Sequence, residues 1–166
     1  DDLYLPVQAT GTFGAARLRI LVSQKKVGAG YRIISPFQTG ERMIMVDRGV
    51  IPIAEDLPNG PLGEVTVTGN IHWPNEVDSY TPEPDTKRDI WFARDVERMA
   101  ATLGTEPVLL VLRTATPATP EITPLPVSRA GIPNDHLSYA ITWFSLALIW
   151  FVMTGFLLWR IRQRTV

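Results

Sequence analysis

The chain has 166 residues, a net charge of −1 and no cysteine. Near-neutral charge removes a global electrostatic case for nucleic acid as a partner, and no RNA-binding or helix-turn-helix pattern is present. The missing cysteine excludes disulfides, thiolate catalysis and cysteine-based zinc or iron–sulfur sites. Fourteen prolines suit a β-rich fold with many edges and turns.

The first predicted strand is PVQATGTF (6–13), which alternates moderately. AARLRILVSQ follows, with Leu18, Ile20 and Val22 on one face. GYRIISPF (30–37) and RMIMVDRGVI (42–51) flank QTGE, a hairpin signal built on Gly40. Met43 and Met45 stand at i, i+2 on one strand face. Thioether sulfur can hold Cu(I), but methionine is also a common core filler, and no histidine lies nearby in sequence. The residues favour packing. In VDRGVIP, Gly49 implies a bulge or turn with a special backbone angle, and Arg48 is expected to pair a local acid. The functional alternative for Arg48 is contact with an anionic propionate.

GEVTVTGNIHW (63–73) has a period of two: Val65, Val67, Gly69 and Ile71 share one face, and Thr66, Thr68, Asn70 and His72 the other. His72 is thereby expected at the surface or in a hydrogen bond. RDIWFARDVERMAATLG is predicted as an amphipathic helix, capped by Asp89 and stopped by Gly104. Its apolar face holds Phe92, Val96, Met99, Ala100 and Leu103. EPVLLVLRTA (106–115) is a continuous apolar run and predicts a buried strand. Residues 1–115 thus read as an α+β domain: a small antiparallel β-barrel or bent sheet with one amphipathic helix. Residues 116–133 are rich in Pro and Thr and read as an extended connector.

From Leu137 to Trp159 there is no charged residue. At ~1.5 Å per residue, about 23 residues cover roughly 34 Å, enough for a hydrocarbon core of ~30 Å. Residues 134–160 are therefore predicted to form a transmembrane helix, capped by Asn134 or Asp135. The tail, 161–166, is basic. Arg160, Arg162 and Arg164 place the C-terminus in the cytoplasm by the positive-inside bias, and the domain outside.

No catalytic constellation emerges. Ser138 near His136 has no orienting acid or oxyanion hole by spacing, and the carboxylates are scattered. The chain is expected not to be an enzyme. His136 leaves two readings open. It stands at the lip of the apolar run, and Tyr139, Ala140, Trp143, Ala147 and Trp150 follow it along one helical face. It is either an interfacial anchor within a Tyr/Trp belt or an axial ligand for haem iron, with the small alanines leaving room for a flat ring.

Three blocks carry a resemblance. GYRIISPF with MVDRGVIP is similar to a Gly-Tyr…Pro stretch followed by Asn-Arg-Gly-Trp…Pro, with Asp47 in place of Asn and Val50 in place of the bulky aromatic. PEPDTKRDIWFARDVERMAATLGTEPVLL matches a second block through Trp91, Arg94, Asp95, Met99 and Ala100. PNDHLSYAITWFSLA matches a third, Asn-x-His-Leu-Gln-Tyr-Ala-x-Thr-Trp, with Ser138 in place of Gln. In this order, over nearly the whole chain, they resemble the Surfeit locus protein one family, assembly factors of cytochrome c oxidase.

The resemblance implies two transmembrane helices around an outward-facing domain, the first preceding Asp1. It implies a role in maturing the haem a centres of oxidase subunit I, in the bacterial inner membrane with the domain in the periplasm, or in the mitochondrial counterpart. The histidine of the third block, implicated in haem a binding, is His136 here. The expected function is to accept haem a from its synthase, with Tyr139 and Trp143 walling the ring and Arg48 or Arg129 meeting propionates. Subunit I, its assembly intermediates and membrane lipid are the expected partners. The first alternative is a structural chaperone or accessory subunit that binds subunit I without haem. The second is a periplasmic copper carrier using Met43 and Met45.

Overall fold

The structure, a computed structural model, describes residues 4–24, 28–55, 61–85, 87–127 and 135–164. Among these lie strands β1 (Pro6–Phe13), β2 (Leu18–Gln24), β3 (Gly28–Thr39), β4 (Arg42–Pro52), β5 (Val65–Ile71), β6 (Ile90–Trp91) and β7 (Leu109–Thr116). Helix α1 (Val96–Leu103) precedes β7, and helix α2 (His136–Arg164) ends the described chain. The sheet order is β1-β5-β7-β4-β3-β2-β6, and a further β1–β3 pairing closes five of the strands into a barrel. The length of β3 makes this closure possible. Its first half pairs with β2, Gly28 with Gln24 through Ile34 with Leu18, and its far end pairs with β1 at Phe37 and Gln38.

The predicted α+β fold with a small barrel, one amphipathic helix and a C-terminal apolar helix is therefore observed. Most neighbours are antiparallel, but β4–β7 and β2–β6 run parallel. Period-two alternation decides β5, where Val65, Val67, Gly69 and Ile71 are the buried positions. The continuous apolar runs of β4 and β7 have a different cause. Ile44, Val46, Leu110 and Leu112 fill the barrel with Phe37, Val65, Val67 and Ile71. Met45 and Leu109, on the opposite face, pack with Leu18, Ile20, Trp91 and the α1 residues Val96, Met99 and Ala100. Strands buried on both faces have no polar face to show. Each large side chain so buried contributes roughly 1.5–3 kcal/mol.

The predicted helix is shorter than its apolar pattern. It starts at Val96, and Asp95, not Asp89, is its cap: the Asp95 carboxylate accepts from the Arg98 backbone N–H at 3.1 Å. Asp89 instead occupies a turn with φ 57°. The reason is tertiary. Ile90 and Trp91 are held extended beside Arg19 and Ile20, which seats Trp91 in the core and leaves Phe92 outside the helix. Gly104 ends α1 as expected.

The connector is also folded further than its composition suggests. β7 runs to Thr116, Ile122 packs on Ile33 and Ile51, and Thr123 exchanges two backbone hydrogen bonds with Val50, at 2.8 and 3.0 Å. The first compact unit accordingly reaches Val127 rather than ending at residue 115, and α2 belongs to a second unit. Along β4 the register slips by one residue, since Ile33 faces Gly49 while Ile34 faces Asp47, so Arg48 is the extra residue of a bulge. Gly49 takes φ 119°, and a Cβ there would stand 2.1 Å from the Thr123 carbonyl oxygen.

Gly49→Val is expected to cost roughly 3 kcal/mol or more through strain and overpacking. Gly40→Asn, at φ 57° with open space around it, should cost under about 1 kcal/mol. Denaturant midpoints of the two variants, followed by near-ultraviolet circular dichroism, check the contrast.

Candidate functional site

Two charged residues interrupt the apolar run of β4, and the bulge sends them into different surroundings. Asp47 has no exposed side-chain surface. Its Oδ2 lies 2.6 Å from Arg32 Nε on β3 and 3.3 Å from Arg94 Nη1 ahead of α1. Arg94 continues the chain of charges. Its Nε donates to both Glu76 oxygens at 3.1 Å, its Nη2 also reaches Glu76, and its backbone N–H donates to the same carboxylate at 3.1 Å. Burial opposes the charge on Arg94, but Glu76 and Asp47 override it and raise the pKa. Burial likewise pushes the Glu76 carboxyl up, but Arg94 outweighs it and the net shift is downward. Two guanidinium and two carboxylate groups cancel in charge, while Arg32 Nε and Asp47 Oδ1 are enclosed without a hydrogen bond among the described residues.

His72 borders this cluster. It keeps the half-exposed face expected for it, stacked on Tyr4 at 5.1 Å between ring centroids, but its Nδ1 is enclosed with no hydrogen-bond partner. Burial, aided by Arg94, holds its pKa below the ordinary histidine value. Met45 is fully buried in the core and Met43 is half-buried. Among the described residues, no group of three or more His, Asp or Glu side chains comes together to hold a metal.

Arg48 does not pair the local acid expected of it, because the neighbouring carboxylate, Asp47, is taken by Arg32 and Arg94. Its guanidinium instead lies 4.8 Å from the Phe13 ring centroid and donates from Nη2 to Thr119 Oγ1 at 2.8 Å. Arg129 lies outside the described residues.

His136, Tyr139 and Trp143 come together on α2. His136 is its first residue, and the Asp135 carbonyl accepts from the Tyr139 N–H at 3.0 Å, as a capping residue's carbonyl does. Asn134, the other predicted cap, lies outside the described residues. Tyr139 and Trp143 follow ~4.5 and ~10 Å further along the axis. All three side chains are exposed, and His136 makes no hydrogen bond or ion pair with a described residue. Lower down, Trp143 and Trp150 flank Ala147 in a shallow apolar groove that Leu146, Ile149 and Met153 complete. Thr142 returns its hydroxyl to the Ser138 carbonyl at 2.9 Å, which satisfies it inside the apolar run.

The sequence reading missed the Asp47–Arg32–Arg94–Glu76 cluster. Its signal was present: a carboxylate inside MIMVDRGVI, an otherwise apolar strand, needs a buried partner.

A closed five-stranded barrel is thus followed by a helix of 29 residues that is long and apolar enough to cross a membrane. A sequence profile of the SURF1 family matches residues 1–148, and the chain belongs to that family. It is 36% identical over 148 residues to a SURF1-like protein of Drosophila melanogaster, covering 84% of this chain and 47% of that one. It is 30% identical over 166 residues to a SURF1-like protein of Rickettsia bellii, covering 89% of this chain and 66% of that one. Against Surfeit locus protein 1 of Rattus norvegicus the identity is 28% over 136 residues, covering 74% and 44%. The chain spans about half the length of the two animal relatives.

Asp47→Ala leaves two buried guanidinium groups with one carboxylate and is expected to cost about 3–5 kcal/mol, whereas Asp47→Asn keeps an acceptor and costs less. Both are read from denaturant midpoints. Glu76 carries a pH signature. Its folded-state pKa is depressed, so its contribution is complete above the ordinary carboxyl range near ~4.3 and is lost as pH falls through the lower folded value. Tm measured from neutral to acid pH should therefore fall less steeply on the acid side in Glu76→Gln than in the parent.

Proposed function

We propose that the chain is a membrane-anchored assembly factor for cytochrome c oxidase that assists delivery of haem a into subunit I. The family supports the setting, and one observation supports the chemistry. His136 presents an imidazole without a partner among the described residues at the head of an apolar helix, on the face that carries Tyr139 and Trp143. Bound there, haem would supply an iron that takes an imidazole nitrogen as ligand. His136 offers that nitrogen, Tyr139 and Trp143 wall the ring, and the small Ala140 and Ala147 leave room between aromatic side chains.

The basic end of α2 supports the orientation. Arg160, Arg162 and Arg164 follow the uncharged segment and favour the cytoplasmic side, which leaves the barrel in the periplasm or its mitochondrial counterpart. His136 then stands at the outer boundary of the inner membrane. Haem a synthase is the source of the cargo, and subunit I or its assembly intermediate the recipient. A carrier that must release its cargo binds it only moderately tightly. No step in this role asks the chain for catalysis.

A second reading uses the same helix differently. The groove of Trp143, Ala147 and Trp150 also suits contact with another membrane helix, which would make the chain a structural chaperone or accessory subunit without haem. Purification in detergent from cells that make haem a separates the two. The carrier reading expects a haem a absorbance spectrum on the purified chain, reduced by about tenfold or more in His136→Ala. An unchanged spectrum in that variant overturns the ligand assignment, and copurified oxidase subunits without pigment favour the structural role.

A further inference from the structure

The barrel contains three buried or nearly buried arginines, and it treats one of them differently. Arg32 and Arg94 are both matched by Asp47, and Arg94 by Glu76 as well. Arg48 is only 4% exposed, yet no described carboxylate lies within ion-pair distance of it. Among the described residues its one hydrogen bond goes to the Thr119 hydroxyl. A guanidinium has five N–H donors. The remaining ones find no acceptor among the described residues, and none of them is sealed from solvent. Donors that reach solvent without a protein acceptor are available to an oxyanion, which would also supply the missing counter-charge.

The space to supply it is there. Arg48 and Phe13 line two cavities. One has a volume of about 330 Å³ and largely apolar walls, among them Leu112, Ala115, Ile122 and Pro124. The other, about 390 Å³, adds Arg17 and Ser35. Arg17 brings a second positive charge close enough to act on Arg48, and Glu121 only partly opposes it. Burial first, and then Arg17, hold the Arg48 pKa below the usual arginine value. An anion beside the guanidinium would relieve both effects. The smaller cavity is at the low end of the ~300–1,000 Å³ typical of small-molecule sites, and its walls suit a narrow aliphatic tail.

We propose that the Arg48 pocket binds the oxyanion head, carboxylate or phosphate, of a small single-tailed amphiphile, with the tail along Leu112, Ala115 and Ile122. Thr119 and the face of Phe13 fix the guanidinium on one side and leave its other donors for the head group. Arg48 is the extra residue of the bulge, and its side chain lies against Thr119 and Phe13, apart from the Asp47 cluster. The site needs neither His136 nor iron, so its failure and the failure of the haem reading are separate results.

The test titrates the full chain, in nanodiscs of zwitterionic lipid, with octanoate, octyl phosphate, octanol and inorganic phosphate, by isothermal calorimetry. Saturable binding of octanoate or octyl phosphate at one per chain is expected, with octanol about tenfold weaker or more. The tighter of the two anions identifies the head group. Arg48→Met should weaken the anion by about tenfold or more and erase the preference over octanol. Its Tm without ligand should not fall below that of the parent, because an unmatched cation is removed. Ala118→Trp, which narrows the cavity without touching Arg48, should weaken both tailed anions and leave the cation in place. Equal binding of octanol and octanoate, no saturable binding of either anion, or octanoate affinity unchanged in both variants overturns the proposal. Inorganic phosphate binding as tightly as octyl phosphate overturns the requirement for a tail.

Discussion

Asp47 sits in the middle of β4 with its carboxylate cut off from solvent, and the arrangement of the barrel's outer elements follows from how that charge is satisfied. Arg32 reaches it across the β3–β4 pair. Arg94 reaches it from the loop ahead of α1 and draws in Glu76 from the segment after β5. Segments at 32, 47, 76 and 94 are thereby tied at one point. With Arg94 fixed, Trp91 is held extended beside β2 and Asp95 is left at the right place to cap α1. Removing the carboxylate would cut the tie between β4 and the segment ahead of α1, leaving Arg94 with Glu76 alone.

The strand bulges at the residue that follows. A regular β4 would alternate Asp47 and Arg48 across opposite faces, and a regular Arg48 would be pushed into strand packing. The bulge and the φ 119° of Gly49 give Arg48 its own direction, toward Thr119 and the Phe13 ring. The cost of that backbone is met by Thr123, whose two hydrogen bonds to Val50 satisfy the strand beyond the irregularity. A close approach of this kind at Gly69, where a Cβ would meet the Val111 carbonyl at 2.1 Å, marks the other slip in register, between β5 and β7.

How far this was legible in the sequence depends on how local each cause is. The strands and α2 were legible because alternation, apolar runs and an uncharged stretch are local patterns. The start of α1 was not, because Ile90 and Trp91 fit a helical pattern as well as an extended one, and only β2 decides between them. Ile122 was hidden among scattered apolar residues in a Pro- and Thr-rich stretch with no periodic pattern. The charge cluster joins residues up to 62 positions apart, from Arg32 to Arg94, so its membership depends on registers that no short window contains. The matched family blocks show the same division. Trp91 and Met99 fill the core, Ala100 packs beside them, Arg94 joins the cluster and Asp95 caps the helix. Those residues announce the fold, and the third block, on α2, carries the residues without a structural task.

The two histidines make that last distinction concrete. His72 is held by its own domain: a ring stacked on Tyr4, an enclosed Nδ1 and a pKa lowered by burial and by Arg94. Its chemistry is used up in fitting the edge of the barrel. His136 begins a helix whose described length buries nothing, and its imidazole is engaged by no described residue. An exposed imidazole at the lip of an apolar segment is free to meet water, lipid head groups or a second component. The fold accounts for the placement of the His72 ring, stacked on Tyr4, although its enclosed Nδ1 has no partner among the described residues. It accounts for the position of His136 but not for its identity as histidine, and that remainder is what the haem reading explains.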